Sequence, residues 1–285
     1  MTQVAVDRSE LKDQVYLRLT GDDEGRLCKD IPESACQVQP DSFLRHVVAL
    51  TLTKSADGLV DAKLVLPWLL GALGAPAFFV GLLVPIREAG ALLPQLVIAA
   101  RIRALPVRER AWAAGSFVQG SAVLGMAGAA LTLEGAALGW AVVLLLAVLA
   151  IARSVCSVAY KDVLGKTVSK ATRGAATGTA GSIAALSVFV FGAALTLGVL
   201  PLTVPTISIV LAVAGVLWIV AAAGFAGLRE APGATEGGRN GLSAALEQFS
   251  LLGRDGQLVR FIVARGLLTA TALAPPFLVA LGGQA

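Results

Sequence analysis

The chain has 285 residues, of which 56% are hydrophobic and 15% are charged. Soluble domains usually carry about 25% charged residues, and the long uncharged runs here leave too few polar side chains to cover soluble cores. The composition therefore excludes a water-soluble enzyme and indicates a membrane protein. The net charge of +4 does not indicate nucleic-acid binding, because the cations lie in short clusters between apolar runs.

The first 45 residues are predicted to form a cytosolic N-terminal tail, disordered or amphipathic. The first apolar run begins near Val47, so nothing resembles a cleaved signal and we expect the mature chain to keep its N-terminus. Three cysteines are too few and too scattered for a disulfide framework. We therefore expect Cys28 and Cys36 in this tail, and Cys156 further on, to be reduced thiols.

The rest of the chain predicts an all-α polytopic bundle with about seven transmembrane spans, because roughly 20 mostly apolar residues cross the hydrocarbon layer as a helix. These spans cover residues 46–74, 77–100, 111–132, 136–160, 174–199, 203–228 and 258–282. The first six form a predicted bundle over residues 46–228. Residues 229–257 are glycine-rich and read as a cytosolic hinge in which only Leu242 to Leu252 look amphipathic. Residues 258–285 hold the seventh helix and a short outer tail.

The connections between the predicted spans differ in charge. Those after the first, third and fifth spans contain no Lys or Arg, whereas those after the second, fourth and sixth are cationic. The cations are Arg101, Arg103, Arg108, Arg110, Lys161, Lys166, Lys170, Arg173, Arg229, Arg239, Arg254 and Arg260. Because short Lys/Arg-rich loops stay in the cytoplasm, we expect a multi-pass protein of the cytoplasmic (inner) membrane, with its N-terminus inside and its C-terminus outside.

The first predicted span carries four charges, namely Lys54, Asp57, Asp61 and Lys63. At roughly 3 kcal/mol for each central charge, they would cost about 12 kcal/mol in lipid. Lys54, Asp57 and Asp61 fall within about 60° of arc on a helix. This face therefore needs polar neighbours within the bundle.

The second span supplies such neighbours, Arg87 and Glu88, about 15 Å from its outer end. The six charges of the two spans sum to zero, so either Asp57 or Asp61 can pair with Arg87 across the helix interface. Two interpretations stay open. The charges line an aqueous cavity that binds a solute or exchanges a proton, or they form a closed structural ion-pair network.

Further polar groups and helix breaks surround this cluster. Gln95 and Gln119 are candidate contacts, although each alone is more typical of an interhelical hydrogen bond. Pro85 and Pro94 bracket the charges of the second span, and prolines in spans are common next to cavities. Arg153 is expected to reach the cytosolic boundary by snorkelling. The candidate substrate- or ion-binding residues are Lys54, Asp57, Asp61, Arg87, Glu88, Gln95 and Gln119.

Signatures of enzymes are missing from the sequence. The single histidine, His46, excludes a His-Glu-x-x-His zinc site, and no Gly-x-Ser-x-Gly elbow occurs. Gly165-Lys166-Thr167 resembles the end of a phosphate loop, but Tyr160 stands where the first glycine belongs. We expect no enzyme activity, no cofactor and no metal.

The order of these features resembles the first half of a major facilitator superfamily transporter, over about residues 43–282. The best local match is Lys161-Asp162-Val163-Leu164 and the basic stretch to Arg173-Gly174, which is similar to the cytosolic end of that family's fourth helix and the entry to its fifth. The chain departs from the family where Arg101 stands near the position of the second-to-third loop aspartate, and its fifth span has no Gly-Pro motif.

The resemblance implies two six-helix bundles that rock about a central site. Only one bundle is present, so we expect a truncated or split chain, or a partner that supplies a second helical bundle. The expected function is secondary transport of a small-molecule substrate, with proton coupling as one option. The alternative is a non-transporting membrane scaffold or a regulatory remnant of a transporter.

Overall fold

The computed structural model describes residues 8–21, 30–233, 235 and 253–282. Helices account for nearly all of these residues and no strand occurs among them, which confirms the all-α prediction. The helices are α1 (Arg8–Thr20), α2 (Glu33–Cys36), α3 (Gln39–Leu59), α4 (Val65–Ala72), α5 (Ala77–Leu92), α6 (Gln95–Arg103), α7 (Glu109–Thr132), α8 (Gly135–Thr167), α9 (Lys170–Thr196), α10 (Val204–Phe225), α11 (Gly256–Ala270) and α12 (Ala274–Gly282). A short 3₁₀ turn, Thr271–Leu273, joins the last two.

Six helical stretches in the described part of the chain are long and apolar enough to cross a membrane, which is consistent with a multi-pass membrane protein. They are Ala77–Arg103, Glu109–Thr132, Gly135–Thr167, Lys170–Thr196, Val204–Phe225 and Gly256–Gly282. These correspond to the second to seventh predicted spans.

The first predicted span, 46–74, is not confirmed, because this segment forms two helices that part after Leu59. Asp61 accounts for the break. Its carboxylate accepts hydrogen bonds from the backbone N–H of Lys63 (2.8 Å) and Leu64 (2.9 Å), and its carbonyl accepts from Val65 at 3.0 Å. A short acidic side chain that bonds to nearby backbone donors favours a turn over helix continuation, so α3 ends before Asp61 and α4 begins after it, at Val65.

Five helix pairs hold the bundle together. Helix α7 packs against α8 and α10, α3 packs against α9 and α10, and α5 packs against α8. Exchanging α3 with α8, α5 with α9 and α7 with α10 gives the same five pairs. The pairs therefore form one chain of contacts, α9–α3–α10–α7–α8–α5, whose halves α9–α3–α10 and α5–α8–α7 match each other about the α7–α10 contact.

The α7–α10 contact depends on small residues. A Cβ atom added to Gly120 would lie 2.6 Å from the carbonyl oxygen of Gly215, and one added to Gly215 would lie 2.9 Å from that of Gly120. Two backbones can approach this closely only where neither residue has a side chain. Trp218, which is 1% exposed, and the fully buried Met126 fill the adjoining core.

The connections between helices gather at two ends. At one end the backbone N–H of Gly135 donates to the carbonyl of Leu73 (2.9 Å), which joins the connections after α4 and α7. At the other end Gly233 N–H donates to Pro106 (2.9 Å), which joins the cationic stretches after α6 and α10. The structure thus brings cationic connections together, as the charge pattern predicts.

Within the predicted N-terminal tail, the described residues form α1 and α2, and α3 begins at Gln39. The rings of Tyr16 and Phe43 meet edge to face at 5.2 Å, so α1 packs on the bundle.

Cys36 is disulfide-bonded, and our expectation of a reduced thiol is wrong for this residue. That expectation rested on a cytosolic location, whereas disulfides are typical of oxidising compartments.

Two predicted features fall largely outside the described residues. Most of the glycine-rich hinge, with the amphipathic stretch Leu242 to Leu252, and the outer tail 283–285 are not described. Cys28 also lies outside them, whereas Cys156 is a free and buried cysteine. Of the described hinge residues, Glu230 contacts the start of α7.

Candidate functional site

Asp57 lies at the centre of a buried ion cluster formed by α3, α5 and α8. Its Oδ1 accepts hydrogen bonds from Arg87 Nη2 (2.6 Å) and from Arg153 Nη1 (2.5 Å). The side chains of Asp57 and Arg87 are 19% and 13% exposed, and that of Arg153 is 40% exposed. One carboxylate oxygen therefore serves two guanidinium groups, which leaves one surplus positive charge.

This arrangement decides between the two pairings that the sequence leaves open for Arg87. The partner is Asp57, because Asp61 lies beyond the end of α3 and bonds to backbone N–H groups instead. Arg153, which the sequence predicts to snorkel, pairs with Asp57 on the neighbouring helix α3. Its reach to the cytosolic boundary stays a prediction.

A polar cavity of about 210 Å³ opens beside the cluster; we call it the charged cavity. Its charged lining residues are Asp57, Asp61, Lys63, Arg87, Glu88 and Arg153. Three anions balance three cations here. Arg87 Nη1 is buried and has no hydrogen-bond partner among the described residues, so one guanidinium donor is unused at this cavity.

A second cavity, of about 260 Å³, lies between α3, α7, α8 and α10; we call it the aromatic cavity. Three aromatic rings line it, those of Trp112, Tyr160 and Trp218. Its charged lining residues are Lys54, Asp57, Arg153 and Lys161. Asp57 and Arg153 line both cavities, so their ion pair lies where the two cavities meet.

Buried hydrogen bonds shape the wall of the aromatic cavity. Gln119 is 3% exposed, and its Nε2 donates to Cys156 Sγ (3.3 Å). Cys156 in turn donates to the carbonyl of Trp112 (3.3 Å). A Cβ on Gly115 would lie 2.6 Å from the same sulfur. These contacts hold α7 and α8 close together, so this wall is a closely packed part of the bundle.

The seven sequence-predicted site residues divide into three groups. Four of them line the charged cavity, namely Asp57, Asp61, Arg87 and Glu88. Lys54 and Gln119 line the aromatic cavity together with Asp57. Gln95, the first residue of α6, lines neither cavity and donates to the carbonyl of Ala91 in α5, across the helix break (2.8 Å). The roles of these residues in binding stay predictions.

The sequence reasoning missed part of the site, above all Arg153, Lys161 and the three aromatic residues. Arg153 carried a usable signal, since an ionisable residue inside an apolar run is functional by default. Trp112, Tyr160 and Trp218 carried none, because aromatic residues in spans are far more often packing residues. Only the tertiary arrangement brings them to one cavity.

A separate ionic network lies at the end of the bundle that holds the cationic connections. Asp162 of α8 pairs with Arg108 and with Lys166, the latter at 2.9 Å. Lys166 also pairs with Glu230 (2.7 Å). The fully buried Glu230 carboxylate accepts from the backbone N–H of Arg108 (2.6 Å) and Glu109 (2.7 Å). The network therefore ties the start of α7, the end of α8 and the exit from α10 together.

No cluster of three or more potential metal ligands occurs in the described ranges. No protein-family model matches the chain, and neither a curated protein nor a solved structure matches it. The resemblance to the major facilitator superfamily therefore stays a prediction, and the function has to be argued from the site.

Proposed function

We propose that this protein is a secondary active transporter that moves a small solute across the cytoplasmic membrane by alternating access. The observation that carries this proposal is the Asp57–Arg87–Arg153 cluster, which lies where the charged cavity and the aromatic cavity meet inside an apolar bundle. Ionisable groups at membrane depth are expensive, and they persist where they serve a solute or proton pathway.

The packing of the helices supports the same proposal. The consecutive triplets α3–α5–α7 and α8–α9–α10 make matching contacts, as internal repeats do, and transporters built from inverted repeats place their binding sites near the repeat interface. In this proposal α3 and α4 together form the first of seven crossings. The six-helix bundle is then one half of a transporter, and a second bundle is supplied downstream or by a partner.

The groups of the cluster take different roles in the proposed cycle. Asp61 and Glu88 line the charged cavity and are the candidate acceptors of a proton or cation. Arg87 presents an unused buried donor and is the candidate partner for an anionic group. Asp57 keeps the two guanidinium groups together while neither holds a solute.

A membrane scaffold without transport activity is the second candidate. It is favoured by the closed geometry of the cluster, in which both arginines already bond to Asp57 at 2.5–2.6 Å. A structural network of this kind would need no solute. The two candidates differ in one respect, since only a transporter changes the content of a sealed vesicle.

The test is transport by the full chain in proteoliposomes, with a panel of sugars, organic anions, organic cations and peptides, with and without a proton gradient. We expect one class to move. Arg87→Ala should abolish the flux, whereas Arg110→Ala, which alters a side chain that is 86% exposed, should retain it. No flux for any class, or equal flux in both variants, would remove the cluster from the mechanism.

The orientation is a separate part of the proposal. The cationic connections favour a cytosolic location for the α6–α7 loop and the N-terminus, whereas the disulfide at Cys36 favours the opposite side. Cysteines introduced at Glu134, Pro201 and the exposed Arg110 distinguish the two. We expect an impermeant thiol reagent to label the first two positions in intact cells and Arg110→Cys only after lysis. The reverse pattern would invert the topology.

A further inference from the structure

The charges around the two cavities do not balance once the whole bundle is considered. The six charges of α3, α5 and their connection that line the two cavities sum to zero. Helix α8 adds Arg153 and Lys161, both of which line the aromatic cavity. The lining of the two cavities together therefore carries a surplus of two positive charges, and α8 supplies both of them.

This surplus lies at the aromatic cavity and not at the charged cavity. The charged cavity has three anions against three cations. The aromatic cavity has Lys54, Arg153 and Lys161 against Asp57 alone. An anion that enters it would meet uncompensated cations, whereas a cation would add to their repulsion.

Arg153 is placed to bind such an anion. Its one hydrogen bond to the described residues uses Nη1 and goes to Asp57, and its side chain is 40% exposed. A guanidinium group offers five N–H donors in a fixed fork that matches a carboxylate. The remaining donors are free to bind a carboxylate at the point where the two cavities meet.

The rest of the lining indicates what accompanies the anionic group. Trp112, Tyr160 and Trp218 offer flat apolar surfaces, and Ser157 and Gln119 offer hydrogen-bonding groups. The volume of about 260 Å³ lies below the 300–1,000 Å³ that is usual for drug-sized ligands. The cavity therefore fits a small carboxylate with an aromatic or other apolar part.

We infer that the aromatic cavity binds a small organic carboxylate, with Arg153, Lys54 and Lys161 as its cationic contacts. This inference rests on the proposed function and names the substrate class for the same site. It does not depend on the direction of transport or on the coupling ion.

The test is binding of benzoate, with benzamide as the neutral analogue and protonated benzylamine as the cationic one. The full chain is placed in nanodiscs with Trp68→Phe and Trp140→Phe, so that Trp112 and Trp218 in the cavity wall report binding by fluorescence quenching. We expect saturable quenching by benzoate with a Kd at least tenfold below those of the two analogues.

Charge variants locate the binding site. The double variant Lys54→Gln/Lys161→Gln changes two exposed side chains, and it should raise the Kd for benzoate at least tenfold. The matched control is Lys63→Gln, because Lys63 lines only the charged cavity, and it should change the Kd less than twofold. Equal binding of the analogues, no saturable quenching by benzoate, or an unchanged Kd in the double variant would overturn the inference.

A flux measurement separates this inference from the proposed function. Binding of benzoate in nanodiscs, together with no flux of any class in proteoliposomes, would refute transport and leave the binding site standing. A flux of organic cations without binding of benzoate would leave transport standing and refute the substrate class.

Discussion

Removal of the Asp57 carboxylate should destabilise the bundle more than any other single charge substitution in α3. In Asp57→Asn, Arg87 keeps its charge in a site where it is only 13% exposed, and breaking a buried pair in this way costs about 3–5 kcal/mol. Arg153 is 40% exposed and can turn toward water, so its share is about 1 kcal/mol or less. We expect a total loss of about 4 kcal/mol.

The measurement is reversible unfolding in mixed micelles, followed by tryptophan fluorescence. Asp41→Asn is the matched control, because Asp41 lies on the same helix and also pairs with two cations, Lys12 and Arg45, but is 39% exposed. We expect it to cost about 1 kcal/mol or less. A loss for Asp57→Asn no larger than that of the control would refute the argument that the cluster is buried.

A double variant isolates the pair itself. Asp57→Asn/Arg87→Gln removes both charges, so no uncompensated guanidinium group is left in the most buried position. We expect the double variant to be more stable than the sum of the single losses predicts, by about 1–3 kcal/mol. Strict additivity would show that the 2.6 Å contact between Arg87 and Asp57 contributes nothing to stability.

Three further predictions use thermal unfolding of the detergent-solubilised protein. Gly120→Ala should lower stability by about 1–3 kcal/mol, because the new Cβ would lie 2.6 Å from a backbone oxygen of α10; Gly128→Ala, with no atom within 4 Å of its Cβ, should cost nothing. Glu230→Gln should lower stability by about 1–3 kcal/mol, since it removes the charge that bonds two N–H groups at the start of α7; an unchanged midpoint would contradict this. Asp61→Ala should cost about 1 kcal/mol and Asp61→Asn much less, because asparagine keeps the acceptor oxygen; equal losses would contradict the capping role.

Most of the fold could be predicted, because the length of an apolar run is a direct physical constraint in a membrane. The second to seventh predicted spans agree with the observed helices. Agreement ends where polar contacts decide the structure. Helix α8 continues beyond the predicted residue 160 to Thr167, since Asp162 and Lys166 pair with each other on its surface (2.9 Å). A prediction that counts apolar residues does not detect such a pair.

The first predicted span also shows that hydropathy does not predict structure where polar contacts determine it. Its mean apolar character predicted one helix, but the charges that made it unusual also changed its backbone. Asp61 bonds to the N–H groups that follow it and starts α4. A local hydrogen bond of this kind competes with helix continuation, and the hydropathy of a window does not record it.

Most charged residues of the site could be predicted from the sequence, but the net charge of each cavity could not. The charges on α3 and α5 were identified, and their sum of zero suggested a neutral interior. The position of Arg153 in an apolar run does not indicate which residue its side chain contacts, because that contact is a property of the tertiary structure. Its contact with Asp57 puts a further cation where the two cavities meet, which makes the charged cavity neutral and raises the positive surplus of the aromatic cavity. That surplus sets the expected class of solute.

Helix α8 carries members of both ionic clusters, and this has a mechanical consequence for the proposed cycle. Arg153 and Asp162 are nine residues apart, about 14 Å along one helix. A carboxylate bound to the remaining donors of Arg153 would weaken the attraction between Arg153 and Asp57 of α3, while Asp162 and Lys166 still hold the end of α8 to Arg108 and Glu230. Solute binding would then loosen the middle of α8 from α3 while its C-terminal end stays fixed, which is the kind of asymmetric release that alternating access requires.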